Sequence, residues 1–202
     1  MKERPIIFNA DMVRAILEGS KTQTRRIMKP QPEPVPGQPW EYWWPAKAFE
    51  TMVKVSDLQR VGFEGAAADA SPFGRIGDRL WVRETFGDCG VRLVYRADTD
   101  DGAACQVKRW TPSIHMPREA ARILLEITDV RVERLNNISV QDALAEGMDD
   151  GSSDAALAAG WFEKPRRAFR RLWERIYGQE SWSSNPWVWV VEFQEIQEKV
   201  TT

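Results

Sequence analysis

The chain passes from a helix into a strand within Ile16-Leu-Glu-Gly-Ser-Lys-Thr-Gln-Thr-Arg-Arg26. Apolar residues recur at helical spacing from Met12 to Leu17, and Asn9 is a residue type that caps the first turn of such a helix. Gly19 follows the last apolar residue, at the position where many helices end in a left-handed glycine. The residues after it alternate and are rich in threonine, which predicts a strand that begins near Thr22.

Four further strands are predicted downstream, including a hairpin partner from Val91 to Arg96. A turn at Gly77-Asp78 precedes an alternating strand from Leu80 to Glu84. The longest strand runs from Arg122 to Leu135, and its alternation changes parity near Thr128-Asp129, which predicts a bulge. The last strand, from Trp187 to Phe193, is apolar on both faces, so we expect it in the middle of a sheet. Several strands with few helices predict an α+β domain that resembles a barrel.

Long segments between these strands follow no regular pattern. Residues 29–47 combine prolines with tryptophans, which is typical of an extended loop, and residues 62–77 and 149–160 also predict loops. Two more helices are predicted. A capping box opens a short one over residues 139–146, and the other runs from Pro165 to Ile176 with a single apolar face.

The composition limits the classes of protein to which the chain can belong. Its 202 residues fit one domain that carries insertions. The net charge is −2, from 28 basic and 30 acidic residues, so the molecule lacks the positive field of a protein that coats long nucleic acid. A small ligand or a local contact fits better. The first residues are charged and no long apolar run follows them, so we expect a cytoplasmic protein that does not enter a membrane.

Few residues suit metal or disulfide chemistry. The only histidine is His115, so we expect no catalytic metal and no cofactor. Cys89 and Cys105 lack the spacing of a metal site, and in a reducing compartment we expect both to be free thiols. The ten tryptophans, in contrast, favour a stacking site for a flat ligand.

Several of these features together resemble the ASCH family. They are the run from Ile16 to Arg26, the turn at Gly77-Asp78, the helix end at Glu146-Gly147-Met148 and the apolar last strand. Trp110 to Pro117 further resembles the larger ASCH proteins encoded by phages and prophages. The resemblance implies a single ASCH domain over residues 1–202, with long loop insertions at about 29–76 and 149–164. It implies a PUA-like mixed β-barrel with flanking helices, whose cleft receives nucleobases or RNA.

The compact bacterial members of that family are similar to amidohydrolases that remove the acyl group from N4-acetylcytidine. Their catalytic lysine, threonine and glutamate correspond to Lys21, Thr24 and Glu146. A threonine hydroxyl becomes a nucleophile when a neighbouring base takes its proton, and a lysine serves as that base only if burial or nearby cations hold it neutral. Lys21 must lie in the turn before the strand, since positions 21 and 24 of a regular strand face opposite sides. Glu146, at a helix end, would move a proton to the leaving amine.

Other residues are candidates for contacts with the substrate. Arg26 would orient it or stabilise the oxyanion, Trp43 and Trp44 would form a stacking lid, and His115 would line the pocket. Each also has a plain structural interpretation. Lys21 and Arg26 can be solvated charges beside an edge strand, Glu146 an ordinary surface glutamate, and His115 a hydrogen-bonded loop residue.

Three functions therefore stay open at this point. The first is hydrolysis of an N4-acylated cytidine or related modified nucleoside, in which the partner is a small molecule and no cofactor is needed. The second is a module that binds RNA or a modified base without turning it over. The third is a ribonuclease, in which the lysine and the hydroxyls act beside a phosphate. The sequence leaves the oligomeric state open.

Overall fold

The computed structural model describes residues 1–59, 64–98, 107–152, 154–160 and 163–196. Ten strands and six α-helices are found in these ranges. The strands are β1 (Glu3–Ile7), β2 (Gln23–Ile27), β3 (Glu33–Val35), β4 (Gln38–Ala46), β5 (Thr51–Lys54), β6 (Arg79–Arg83), β7 (Phe86–Asp88), β8 (Leu93–Tyr95), β9 (Leu124–Arg134) and β10 (Trp187–Ile196). The helices are α1 (Ala10–Leu17), α2 (Val55–Leu58), α3 (Glu64–Ala70), α4 (Val140–Ala145), α5 (Asp154–Ala159) and α6 (Pro165–Tyr177).

The central sheet has five strands in the order β1-β6-β9-β10-β2. It is mixed, because β1 and β6 run parallel while every other neighbouring pair is antiparallel. β10 lies between two partners, and its residues from Trp187 to Val191 are all buried, as the apolar last strand predicts. The register of β9 against β10 shifts so that Thr128 is the extra residue between Ile127 and Asp129. The predicted bulge is therefore confirmed.

The α+β class is confirmed, but the described strands do not close into a barrel. β1 and β2 are the two ends of the central sheet, and no backbone ladder joins them within the described ranges. A side chain spans this gap instead. The Arg26 guanidinium donates a 2.7 Å hydrogen bond to the carbonyl of Ile7 and lies 5.3 Å from the centre of the Phe8 ring. One carbonyl of the β1 edge is thus satisfied by a side chain rather than by a strand.

The prediction of an extended loop over residues 29–47 was wrong. This segment contains β3 and β4, which form a three-stranded antiparallel sheet with β5. Pro34 lies in β3, an edge strand, where a missing N–H costs little. Trp44 in β4 is buried and meets Trp189 of the central sheet in a T-shaped contact, with ring centres 5.3 Å apart. Burial of this ring packs the three-stranded sheet against the main core. The buried apolar area compensates for the low strand propensity of the prolines.

Two other predicted loops are partly helical. Residues 64–70 form α3, and residues 154–159 form α5, so the alanines of these segments follow their own helix propensity.

Cys89, expected to be a free thiol, is disulfide-bonded, and Cys105 lies outside the described residues. Among the helices of the described ranges, none has the length and apolar character to cross a membrane.

Two apolar clusters hold these elements together. The larger one packs α1 and the 29–76 segment against one face of the central sheet, with Val13, Leu80 and Ile127 almost fully buried. The smaller one packs α4 and α6 against the other face, around Leu135 and Trp173. The start of β2 lies between α1 and α4, so the residues just before it meet both helices.

Candidate functional site

The turn after α1 places Lys21 outside the regular strand. Gly19 adopts φ +75°, and the Lys21 N–H then donates to the carbonyl of Ala15 at 2.9 Å. β2 begins only at Gln23, and Lys21 forms an isolated β-bridge with Glu146. Lys21 therefore lies in the turn before the strand, as the sequence requires, but its ammonium is bonded to Gln23 and Glu146 and not to Thr24.

Glu146 is positioned by the end of α4. Ser139 and Asp142 form the predicted capping box at the start of that helix, and Glu146 is its C-terminal cap. Gly147 follows with φ +89°, and an added Cβ there would lie 2.9 Å from the Cβ of Ala15 and 3.2 Å from that of Lys21. Only a glycine allows α4 to approach α1 so closely. This approach brings the Glu146 backbone and side chain to Lys21.

Lys21 and Glu146 form a buried ion pair. The exposed fraction of the side chain is 0% for Lys21 and 3% for Glu146. The Lys21 ammonium donates to Glu146 Oε2 at 2.8 Å, to the Glu146 carbonyl at 3.0 Å and to the Gln23 carbonyl at 2.9 Å. All three hydrogens of the charged amine are thereby used. An ion pair this far from solvent is costly to build, so an interpretation of either residue as a solvated surface charge is excluded.

Arg25 is the second buried cation of the site. Its guanidinium donates to Glu146 Oε1 at 3.3 Å and to Glu133 Oε2 at 3.1 Å, and it lies 3.3 Å from Asp142 Oδ1. Its side chain is fully buried. The sequence suggested Arg25 only as a source of nearby charge. Strand alternation places it on the face opposite Thr24, and no local pattern reveals that three acidic side chains meet there.

The environment of Lys21 changes its proton affinity. Burial lowers the pKa of the Lys21 ammonium below its ordinary value, and the charges of Arg26 and Arg25 act in the same direction. Glu146 opposes the shift through its charge and its hydrogen bond, without cancelling it. The Lys21 ammonium therefore loses its proton more readily here than a lysine in solvent does.

Thr24 and Glu146 line one small cavity at the free edge of β2. The cavity measures about 20 Å³ and is lined by Met12, Thr24, Arg25, Arg26, Glu146, Phe169, Leu172, Trp173, Ile176 and Tyr177. This volume suits about one water molecule and not a pyrimidine ring. Lys21 is not part of the lining, and it reaches the cavity only through the carboxylate of Glu146.

Several buried N–H donors in the cavity wall have no acceptor. They are Arg25 Nε, Arg26 Nε and Trp173 Nε1, none of which finds a hydrogen-bond partner in the described parts of the chain. Buried donors are nearly always paired in folded proteins, so three such atoms around one cavity indicate a place for an acceptor oxygen. The lining residues thus include a threonine, a glutamate and three residues with such N–H donors.

The apolar face of α6 covers this cavity. Phe169 and Trp173 are buried in the smaller cluster, while Leu172 and Tyr177 are partly exposed and Ile176 is 48% exposed. The sequence predicts this helix and its apolar face. It does not predict that the helix lies over the Thr24 site, because helical periodicity says which face is buried and not what the face contacts.

The remaining predicted site residues are dispersed. Arg26 lines the cavity, but its Nη2 is held by Ile7. Trp44 is buried against Trp189, and Trp43 is 38% exposed in β4, so neither forms a wall of this cavity. His115 is exposed in a short 3-10 helix and also lies outside the cavity wall.

No family model, no curated protein and no solved structure matches this chain. In the described part of the chain, no group of three or more histidine, cysteine or acidic side chains has the arrangement of a metal site. What the site does must therefore be inferred from its own geometry and charge.

Proposed function

We propose that the chain is an amidohydrolase that acts on an N4-acylated cytidine or a related modified nucleoside, in a PUA-like domain of the ASCH type. One observation carries the proposal. A buried ion pair of Lys21 and Glu146 adjoins a cavity in which Thr24 lies beside N–H donors that lack an acceptor. Acyl transfer needs these parts, namely a nucleophile, an acid and base pair, and donors for the oxyanion.

The ion pair can supply both the base and the acid. Transfer of one proton along the 2.8 Å contact from Lys21 Nζ to Glu146 Oε2 converts the pair into a neutral amine and a carboxylic acid. Burial favours this uncharged form. Once a movement of the Lys21 stem brings the neutral amine from Glu146 to Thr24, the amine accepts the Thr24 proton as the hydroxyl oxygen attacks the acyl carbon. The carboxylic acid donates its proton to the cytosine N4 as the C–N bond breaks, which restores the ion pair and leaves an acyl ester on Thr24.

Water then hydrolyses the ester and releases the acid. The negative oxygen that forms in both steps needs hydrogen bonds, and Arg26 Nε and Trp173 Nε1 are buried donors of cavity-lining residues that find no acceptor among the described residues. A pyrimidine exceeds the 20 Å³ of the cavity. Substrate entry therefore requires the partly exposed side chains of α6, chiefly Leu172 and Tyr177, to move outward.

A second function is favoured by one specific feature. All three hydrogens of the Lys21 ammonium are already donated, two of them to Glu146. In that state the lysine has no lone pair for a proton from Thr24, and the same donors and carboxylate suit recognition of a base without chemistry. A reader of modified bases is therefore the competing proposal.

An assay of N4-acetylcytidine hydrolysis separates the two proposals. Purified protein is incubated with the nucleoside, and free cytidine and acetate are followed by chromatography. We expect turnover that is lost in Thr24→Ala and partly kept in Thr24→Ser, which retains the hydroxyl. Thr22→Ala is the matched control, because Thr22 is an exposed threonine two residues away.

Each outcome assigns the site differently. Release of cytidine that depends on Thr24 but not on Thr22 supports the hydrolase. Saturable binding of the acylated nucleoside without release, equal in wild type and Thr24→Ala, supports the reader. Shortening of an RNA oligomer in place of deacylation would contradict both.

A further inference from the structure

A second cavity lies where the 29–76 segment packs against the start of β1. Its volume is about 580 Å³, and it shares no lining residue with the cavity beside Thr24. Cavities of roughly 300–1,000 Å³ are typical of sites for small molecules. One wall is apolar and consists mainly of Pro30, Trp44, Pro45 and Ala48.

The lining also carries positively charged side chains, and its three lysines are exposed. Two of its arginines are neutralised, since Arg4 pairs with Asp78 at 2.9 Å and Arg75 pairs with Asp69 at 2.5 Å. Three lysine side chains of the lining form no ion pair with any carboxylate that the structure describes, and these are Lys2, Lys29 and Lys47. Positive charge therefore accumulates in this cavity, although the net charge of the whole molecule is −2.

Hydrogen bonds hold the walls of this cavity in place. Trp44 Nε1 donates to the carbonyl of Pro30 at 3.0 Å, and the ring packs on Trp189. Asp78 accepts from the Lys2 N–H at 2.7 Å and from Arg4 at 2.9 Å. These bonds fix the Trp44 and Asp78 parts of the lining before a ligand binds.

A glycine brings the turn before β6 close to the charged wall. Gly74 adopts φ +128°, and an added Cβ would lie 2.6 Å from Arg4 Nη1 and 3.1 Å from Asp78 Oδ2. Any larger residue would push Arg4 and Asp78 apart.

We propose that this cavity binds a small organic phosphate. The phosphate would lie among the ammonium groups of Lys2, Lys29 and Lys47, and the organic part against Trp44 and Pro45. A phosphate monoester carries nearly two negative charges at pH 7, which matches a group of unpaired lysines better than one carboxylate does. The apolar wall gives the organic part a surface to bury. The proposal does not depend on the proposed amidohydrolase function.

Calorimetric titration of the full chain tests this proposal. The probes are uridine 5′-monophosphate, uridine and inorganic phosphate, each at low ionic strength. Lys29→Gln and Lys47→Gln each remove one of the three charges, and Ala48→Trp fills the cavity from its apolar side. Lys164→Gln is the matched control, because Lys164 is exposed and lies outside the cavity. Circular dichroism verifies that each variant is folded.

We expect the monophosphate to bind saturably and more tightly than either uridine or inorganic phosphate. Loss of one lysine should weaken binding roughly tenfold, as expected for a charge-assisted hydrogen bond. Ala48→Trp should abolish binding, and Lys164→Gln should leave it unchanged. The proposal is overturned if the monophosphate does not bind, if uridine binds equally well, or if folded lysine variants keep the wild-type affinity. Because none of these variants alters the Thr24 site, failure here leaves the hydrolase proposal untouched.

Discussion

Glu146 is the carboxylate on which both buried cations of the site converge. Its two oxygens accept from Lys21 at 2.8 Å and from Arg25 at 3.3 Å. A charge with no solvent contact depends entirely on its partners. The loss of one partner therefore matters more at this site than at the surface of the molecule.

Glu146→Gln should destabilise the fold strongly. The substitution leaves the Lys21 ammonium buried without a counter-charge, for which a cost of about 3–5 kcal/mol is typical. The double variant Lys21→Met/Glu146→Gln should lose less than the sum of the two single losses. Urea unfolding measures the three free energies, and Glu18→Gln, at an exposed glutamate, is the control. Additive losses would show that the pair is not coupled.

Trp173 offers a test of the unpaired donors. Trp173→Phe keeps an aromatic ring in the apolar cluster and removes only the indole N–H, which has no acceptor in the described residues. If that donor stabilises the oxyanion, kcat should fall by about a hundredfold while KM changes little. Steady-state kinetics give both constants, and thermal unfolding reports any loss of packing. An unchanged kcat would remove Trp173 from the mechanism.

At the scale of elements, α6 forms the side of the cavity beside Thr24 and restricts its volume. It contributes half of the residues around the 20 Å³ cavity. Leu172→Ala should enlarge the cavity and lower KM for the acylated nucleoside by roughly fivefold, equivalent to about 1 kcal/mol. Arg175→Ala, on the exposed side of the same helix, should have no such effect. A KM that rises in Leu172→Ala would mean that the leucine contacts the substrate instead of excluding it.

Asp78 joins β1 to the turn before β6, and this link depends on pH. Burial raises the pKa of Asp78, but the Lys2 N–H, the Arg4 guanidinium and the Arg75 N–H outweigh it and lower the pKa from 3.8 to about 2. A carboxyl with a lowered pKa stabilises the fold above its unfolded-state value, and the benefit is lost as the pH falls through the folded-state value.

The stability difference between wild type and Asp78→Asn should therefore be largest above pH 4. It should shrink between about pH 4 and pH 2, where Asp78 becomes protonated in the native state. Urea unfolding at several pH values measures this difference, and Asp11→Asn, at a mostly exposed carboxyl, records the background. A difference that stays constant down to pH 2 would contradict the role of the Arg4 and N–H contacts.

At the scale of the whole molecule, Trp44 is the most deeply buried aromatic contact between the three-stranded sheet and the central sheet. Trp44 is 5% exposed, whereas Trp40 in the same strand is 77% exposed. Trp44→Ala should cost about 3–5 kcal/mol, because it leaves a cavity beside Trp189. Trp40→Ala should change stability by less than about 0.5 kcal/mol. Equal effects, measured by urea unfolding, would show that the small sheet is not part of the cooperative core.

Local patterns in the sequence determined much of this molecule. The cap at Asn9, the end of α1 near Gly19, the bulge in β9, the capping box of α4 and the buried last strand depend on residues close together in the chain, so all were predictable. The three-stranded sheet was not, because its prolines oppose strand formation and contacts of Tyr42 and Trp44 with the distant Trp187 and Trp189 compensate for them.

In the candidate site, too, some features were predictable from the sequence and others depend on the tertiary structure. The resemblance of the sequence to the ASCH family pointed to Lys21, Thr24 and Glu146, and strand alternation required Lys21 to lie in the turn before the strand. Only the tertiary structure decided that Lys21 and Glu146 are buried as a pair, that Arg25 joins them, and that α6 lies over Thr24. The physical reason is that helix caps and turns are short-range interactions. Burial of a charge depends on elements more than a hundred residues away, whose approach no local pattern encodes.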